Sequence, residues 1–269
     1  MTQSPASGAM RPASEVQAMF GRIVPRYDLV NRLMTGGRDV AWRRLVAGVA
    51  VAGGRRGTVI DVATGTGDLA IALAGAGARS VVGLDFVPGM LRAAAGKPAI
   101  GSWSEMGRQA GMGGTVGTSG SGGAGESSGR VRLVAGDAMR LPFPDDTFDA
   151  CTVSFGLRNM ADYEGAVREM TRVLRPGGRW VCLELTPYRF PLLNRVFGWY
   201  FGAVVPVIGG WLSGDRAAYR YLPASVAAFP PADELVEIMR AAGLADARYR
   251  KIGGGAVAMH VGEKPERTD

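Results

Sequence analysis

Two acids and a glycine turn carry the first chemical signal. Asp61 stands near the end of an apolar, β-branched run at 58–62. Gly65 and Gly67 follow in a tight turn at 63–67, and Asp68 opens a run of helix formers, Leu69-Ala-Ile-Ala-Leu-Ala74. Glycine in such a turn permits positive φ and lets a ligand approach the backbone closely. The first N–H groups of the helix behind it have no partner within the helix. The spacing Gly65-x-Gly67-x-x-Ala70 is a degenerate dinucleotide fingerprint. A second strand at 80–84 ends in Asp85, placed to accept hydrogen bonds from both hydroxyls of a ribose. Asp61 discriminates between ligands. Beside a pyrophosphate its charge would be repelled, and beside the cationic amine of a methionine moiety it would be attracted. The pattern therefore favours S-adenosyl-L-methionine over NAD.

The elements that must position these groups alternate. Strands are expected at 58–62, 80–84, 131–134, 148–154 and 179–185, with helices at 68–76, 88–97 and 162–174, which predicts an α/β fold on a parallel sheet. In an open sheet of this kind, ligands bind outside the carboxyl ends of the strands. Residues 61–67, Asp85, Asp137 and 154–159 all fall on that edge. Upstream, 14–34 reads as a helix with Ser14 as its N-cap and Gln17 completing a capping box, interrupted at Pro25. Tyr27 and Asp28 follow the break, either as a surface turn or as part of a lid over the ligand. Asp39 is expected to cap a helix at 40–51. Downstream, an amphipathic helix at 232–242 precedes two final strands at 243–250 and 256–262. The second holds His260, the chain's one histidine and the side chain whose unperturbed pKa lies closest to neutrality.

The totals bound the rest. At 269 residues, with 47% hydrophobic and 20% charged residues, the chain is an ordinary globular protein with room for a large core. The net charge of +7 comes from scattered arginine, without like-charge blocks or zinc-finger spacing. That diffuse basicity suits solubility or attraction to anionic lipid, and no nucleic-acid partner is expected. Cys151 and Cys182 lie in apolar strand-like runs and read as buried free thiols in a reducing compartment. Residues 1–13 are small and polar, lack a signal-peptide core and read as disordered, so the protein is expected in the cytoplasm. Residues 14–269 read as one domain with an N-terminal helical lid at 14–52. A flexible insertion at 99–129 has eleven glycines between 101 and 129 and little to bury. Residues 188–222 hold an uncharged stretch at 196–212 containing Trp199-Tyr200-Phe201. Pro206 and four glycines interrupt it, so it reads as a core helix pair or an apolar substrate lid touching the bilayer interface rather than a membrane span.

Several segments resemble known enzymes. The loop Asp61-Val-Ala-Thr-Gly-Thr-Gly-Asp68, the segment Gly136-Asp-Ala-x-x-Leu-Pro-Phe143 and Arg175-Pro-Gly-Gly178 are similar to class I S-adenosylmethionine-dependent methyltransferases. Met19-Phe20 with Pro25-Arg-Tyr-Asp-Leu-Val-Asn-Arg32, Ser154-Phe-Gly-Leu-Arg-Asn159 and Tyr219-Arg-Tyr-Leu222 narrow this to a resemblance to the ubiquinone/menaquinone biosynthesis C-methyltransferase family. The resemblance spans 19–264 apart from the insertion. It implies a Rossmann-like, seven-stranded sheet with helices on both faces and an antiparallel strand near its end. It also implies methylation of a ring carbon of a polyprenylated quinol. Positions matching Thr66, Asp85, Asp137, Ala138 and Ser154 contact S-adenosylmethionine in that family. Two departures stand out: Ala63 replaces the first glycine of the general methyltransferase motif, and the insertion is atypical.

On this reading Asp61, Gly65 and Gly67 hold the methionine end, Asp85 the ribose and Asp137 the adenine amine. Arg158 and Asn159 polarise the quinol. Arginine is not readily a base, so Tyr27 with Asp28, His260 or a water receives the proton. No metal is expected, because the sulfonium methyl is already activated. The partners expected are the polyprenyl quinol and the inner face of the cell membrane as a peripheral surface, with a homodimer as one open assembly state. The Ala/Gly/Arg-rich composition suggests a high-GC bacterial coding sequence and favours a naphthoquinol over the benzoquinol of ubiquinone synthesis. An NAD(P)-dependent oxidoreductase and a non-catalytic membrane scaffold are the alternatives from other classes.

Overall fold

The computed structural model describes residues 12–100, 130–186 and 216–267. Seven strands, β1 (Thr58–Val62), β2 (Ser80–Asp85), β3 (Arg130–Ala135), β4 (Phe148–Ser154), β5 (Leu174–Leu185), β6 (Ala245–Ile252) and β7 (Val257–Glu263), form one sheet. Its order is β3-β2-β1-β4-β5-β7-β6. The first five run parallel, and β7 runs antiparallel to both neighbours. Eight helices accompany it among the described residues: α1 (Ala13–Ile23), α2 (Tyr27–Met34), α3 (Arg38–Val51), α4 (Asp68–Gly75), α5 (Pro88–Ala95), α6 (Tyr163–Arg172), α7 (Arg216–Ala228) and α8 (Ala232–Ala241).

Side-chain alternation along each strand sorts the core into two layers. Val59, Ala150, Val181 and Leu183 pack with α3, α4 and α5 on one face. Ile60, Val62, Cys151, Val153, Trp180 and Cys182 pack with α6 and α8 on the other. Both faces are buried, so the central strands are apolar throughout. Cys151 and Cys182 are free, buried thiols on neighbouring strands, and burial pushes both pKa values well up. A third, smaller cluster joins Met19, Ile23, Val30 and Tyr221, tying α1, α2 and α7 together.

The expected elements form, with local differences. The helix break at Pro25 is a short 3₁₀ turn, Val24–Arg26. Asp162 caps α6, accepting from the Gly165 N–H at 2.7 Å. The caps expected upstream do not form. Helix α1 starts at Ala13 with no side-chain cap, and Gln17 instead donates to the Phe86 carbonyl, 69 residues away. Gly37, at φ 76°, precedes α3, and Asp39 sits buried in its first turn, paired with Arg43. Strand β5 begins at Leu174, earlier than expected, because Leu174 already pairs with Phe148; an irregular stretch at 175–178 then leads to the Ala150–Arg179 pair. The insertion at 101–129 and the greater part of the apolar lid, 187–215, lie outside the described residues. No helix among the described residues is long and apolar enough to cross a membrane.

Candidate active site

The β1–α4 turn is built to present backbone. Ala63, Gly65 and Gly67 all take positive φ (54°, 56° and 80°). At Gly67 a Cβ would also lie 2.6 Å from Ile100 Cδ1, so the isoleucine tip would have to move. The turn is pinned by the two acids. Asp85 Oδ2 accepts from the Gly65 N–H at 2.7 Å, and its Oδ1 accepts from the Val87 N–H at 2.8 Å. Asp61 Oδ2 accepts from Thr64 Oγ1 at 2.7 Å, and its Oδ1 from Thr152 Oγ1 at 2.8 Å. Thr152 is available because it stands opposite Asp61 in the β1–β4 register and points to the same face. Burial pushes both carboxyls up to about 6. In Asp61 it outweighs the threonine hydrogen bonds, and in Asp85 those from the Val87 and Gly65 backbone.

Two cavities open at this edge. The smaller, about 150 Å³, is lined by Asp85, Val87, Met90, Asp137 and Ala138. The larger, about 260 Å³, is lined by Met19, Met34, Trp42, Asp61, Arg158 and Tyr221, among others. Tyr27, Ala63, Gly65, Ser154, Phe155 and Asn159 line both and form their common wall. Trp42 meets Phe155 at 6.4 Å between ring centroids, giving the larger cavity an aromatic side. Phe155 holds a positive φ of 56°, which aims its carbonyl at Arg158 Nη1 (2.7 Å) and Asn159 Nδ2 (3.3 Å). Gly156 beside it has no room for a side chain, since a Cβ would lie 2.6 Å from the Cβ of Ala63.

Arg158 is buried and locked. Its Nη1 donates to Glu184 Oε1 at 2.6 Å. Glu184 Oε1 also accepts from the Leu185 N–H. Among the described residues, Arg158 Nε, Ser154 Oγ and Asn159 Oδ1 are buried without a hydrogen-bond partner. Three such atoms gathered at two cavities are what a site built for a polar ligand leaves behind.

The lid contacts are ionic. Asp28 accepts from Thr66 Oγ1 at 2.6 Å and from Lys97 Nζ at 2.9 Å. Lys97 also pairs with Asp68, and Asp68 with Arg43. Burial raises the Asp28 pKa, but the hydrogen bonds from Thr66 and Lys97 outweigh it and the net shift is downward. Burial raises that of Tyr27, so the phenol stays protonated and serves as a donor. Asp28, already charged and well held, is a weak base.

His260 is a correction. It lies in β7, 1% exposed, with Nε2 2.9 Å from the Ala232 carbonyl, and lines neither cavity. Burial lowers its pKa to about 4, so it is neutral near pH 7 and has no path to a substrate proton. Of the other expected positions, all but Asp28 and Gly67 line one or both cavities; Asp28 is held above the turn by Thr66 and Lys97. Thr66 faces the lid, and Gly67 supports the turn from behind.

Sequence reasoning missed Glu184, Thr152, Trp42 and the Lys97–Asp68–Arg43 chain. Glu184 carried a usable signal: it is an acid in the otherwise apolar run 180–185, close to the strand's carboxyl end.

A seven-stranded sheet of this order with one reversed strand, and acids tipping its first two strands beside a glycine turn, is the architecture of a class I methyltransferase. Human N-acetylserotonin methyltransferase in complex with S-adenosylmethionine shares the fold, with a TM-score of 0.56 at 15% identity over 95% of this chain and 60% of that one. The chain belongs to the ubiE/COQ5 methyltransferase family, whose sequence profile matches residues 9–106 and 118–264. It is 45% identical to the demethylmenaquinone methyltransferase of Deinococcus radiodurans, over 93% of this chain and 92% of that protein. It is 43% identical to the enzyme of that name from Thermus thermophilus, over 92% and 100%. The family profile bridges most of the Gly/Ser-rich insertion and omits only 107–117.

Proposed function

We propose that this protein methylates a ring carbon of demethylmenaquinol, with S-adenosyl-L-methionine as the methyl donor, giving menaquinol, S-adenosylhomocysteine and a proton. Family membership together with two relatives of that name at over 40% identity carries the reading. The site suits the cofactor: a glycine turn, two buried carboxylates and a cavity ending at Asp137 and Ala138 offer partners for a cationic methionine end, a ribose and an adenine. S-adenosylmethionine would supply a methyl activated by its sulfonium; the ring carbon takes that methyl as its bond to sulfur breaks, leaving S-adenosylhomocysteine. Asp61 and the turn bind the methionine end, and Asp85 takes the ribose hydroxyls. Asp137 and Ala138 line the adenine side, and Thr66 and Ser154 lie beside the bound cofactor.

The larger cavity takes the ring. Arg158, which lines the larger cavity, and Asn159, on the wall it shares with the smaller one, hold the quinol oxygen and favour its anionic form, which makes the ring carbon nucleophilic. Tyr27 donates to the same region. With His260 walled off, and Asp28 a weak base that lines neither cavity, the proton leaves through water. The polyprenyl tail places the enzyme peripherally on the inner face of the cell membrane.

Relatives at 39% identity bear the name ubiquinone/menaquinone biosynthesis C-methyltransferase, for example in Geobacter sulfurreducens, so a benzoquinol acceptor is the second reading. Methyl-labelled S-adenosylmethionine offered with demethylmenaquinol and with a methoxy-polyprenyl-benzoquinol decides between them. Label is expected in the naphthoquinol; label in the benzoquinol alone reverses the assignment.

Asp61 and Asp85 also set a pH dependence. A carboxyl raised to about 6 takes up its proton as pH falls through 6, and a cationic ligand binds the charged form. Cofactor affinity is therefore expected to weaken below pH 6 and to level off above pH 7. At pH 6 binding releases roughly half a proton from each acid. Calorimetry in two buffers of different ionisation enthalpy measures that release, and identical heats in both would contradict it.

A further inference from the structure

The larger cavity holds one bulky side chain whose place the cofactor does not explain. Trp42, on α3, lines that cavity and not the smaller one. It is half-buried and packs against the core cluster that α3 shares with the sheet. Two neighbours fix its ring. Phe155 meets it at 6.4 Å between centroids, with the planes tilted by 52°. The benzo edge of the indole faces Gly253, in the short 3₁₀ turn Gly253–Gly255 between β6 and β7. A Cβ on Gly253 would lie 2.8 Å from Trp42 Cζ2 and 3.3 Å from Cη2, so bare backbone braces that edge.

Phe155 ties this aromatic surface to the polar groups. Positive φ is uncommon for an aromatic residue and is sustained only by the surrounding fold. At Phe155 it turns the carbonyl to Arg158 Nη1 and Asn159 Nδ2 while the ring meets Trp42. One strained residue thus sets an aromatic surface beside the two donors assigned to the acceptor oxygen. A flat ring with an oxygen on its edge matches both. A polyprenyl chain needs only an apolar wall, and Met19, Met34 and Tyr221 offer one in the same cavity. The other aromatic pair, Phe20 and Tyr27, stands nearer the cofactor. Both line the smaller cavity as well, and Tyr27 Cε1 lies 4.0 Å from where a Cβ on Gly65 would stand. We propose that the Trp42 indole, held by Phe155 and Gly253, is the platform on which the aromatic nucleus of the acceptor packs, its oxygen toward Arg158 and Asn159. The platform deepens the quinol reading and rests on it. Aromatic rings gain from offset or edge contact beyond the burial of equal area, so Trp42 selects a flat, unsaturated ring and holds its plane while the carbon takes the methyl.

Methyl transfer to demethylmenaquinol with a single isoprene unit and with a long tail tests it. W42L keeps an apolar side chain on α3 and removes the aromatic face. It is expected to raise KM roughly tenfold for both acceptors. Its calorimetric affinity for S-adenosylmethionine is expected to stay within about twofold of wild type. W42F restores an aromatic face and is expected to bring KM back to within about threefold of wild type. Equal KM losses in W42F and W42L, in step with their melting temperatures, would mean a structural role and overturn the proposal. So would a KM that rises for the long-tailed acceptor alone, since Trp42 would then touch the tail. Fluorescence supplies a readout that needs neither turnover nor W42L to fold. A quinone quenches an indole it touches, so quenching by the short-tailed menaquinone is expected to lose most of its amplitude in W42F; full quenching in W42F would also overturn the proposal. A wild type that methylates neither acceptor removes the quinol reading and the platform with it. An active wild type with an unaltered W42L removes the platform alone.

Discussion

Arg158→Ala is expected to lower turnover by about two to three orders of magnitude while changing cofactor affinity only a few-fold. A preorganised donor at a developing oxyanion contributes on that scale. Arg158 is preorganised: Glu184 and the Phe155 carbonyl hold Nη1, while Nε stays buried without a partner. It lines the larger cavity and not the smaller one, so the Asp85 and Asp137 side of the cofactor site keeps its contacts. The variant also strands Glu184, a carboxylate 1% exposed, at a cost of roughly 3–5 kcal/mol. Lost activity and lost stability would then be confounded. Arg158→Ala combined with Glu184→Gln separates them, because it removes the stranded charge and is expected to recover much of the stability but none of the turnover. Single-turnover methyl transfer and urea melts measure the two. Recovery of turnover in the double variant, or equal losses in turnover and cofactor binding, would remove Arg158 from the chemistry.

The second large effect has the opposite signature. Asp85→Ala is expected to weaken S-adenosylmethionine binding roughly a hundredfold or more, while turnover at saturating cofactor falls much less. Hydrogen bonds to a charged acceptor contribute about 1.5–3 kcal/mol each, and a ribose offers two. The variant also frees the Gly65 and Val87 N–H groups, so the glycine turn loses the contact that sets its position. Asp85→Asn keeps one acceptor oxygen and is expected to fall between. Calorimetric affinity near wild type in Asp85→Ala would mean that the ribose lies elsewhere.

How much of this was legible in the sequence depended on range. Asp61, the glycines and Asp85 announced themselves because strand, turn and helix signals are local and the acids stand one residue before the end of β1 and at the end of β2. That these groups share an edge with Asp137 and 154–159 followed from parallel connectivity alone. Caps were misread where a side chain had a distant use: Gln17 reaches Phe86, and Asp39 serves Arg43 and Thr35. Tyr27 and Asp28, equally readable as a surface turn, became cavity and lid residues only when α2 was laid over the β1–α4 turn. His260 failed for the opposite reason. Its neutral-range pKa is a property of water, and β7 puts it in the interior, where desolvation favours the neutral ring.

By itself, then, the sequence determined the fold class, the glycine turn, the acids at the strand tips and the family. Each of these rests on short-range patterning or on motifs read in order along the chain. Only the tertiary structure decided that the two cavities share a wall at Ser154 and Asn159, that Glu184 holds Arg158, that His260 is walled off, and that Trp42 meets Phe155 in the larger cavity. Those outcomes depend on which residues from distant segments share burial and charge. Desolvation and pairing are set by the packed whole, and no window of sequence contains them.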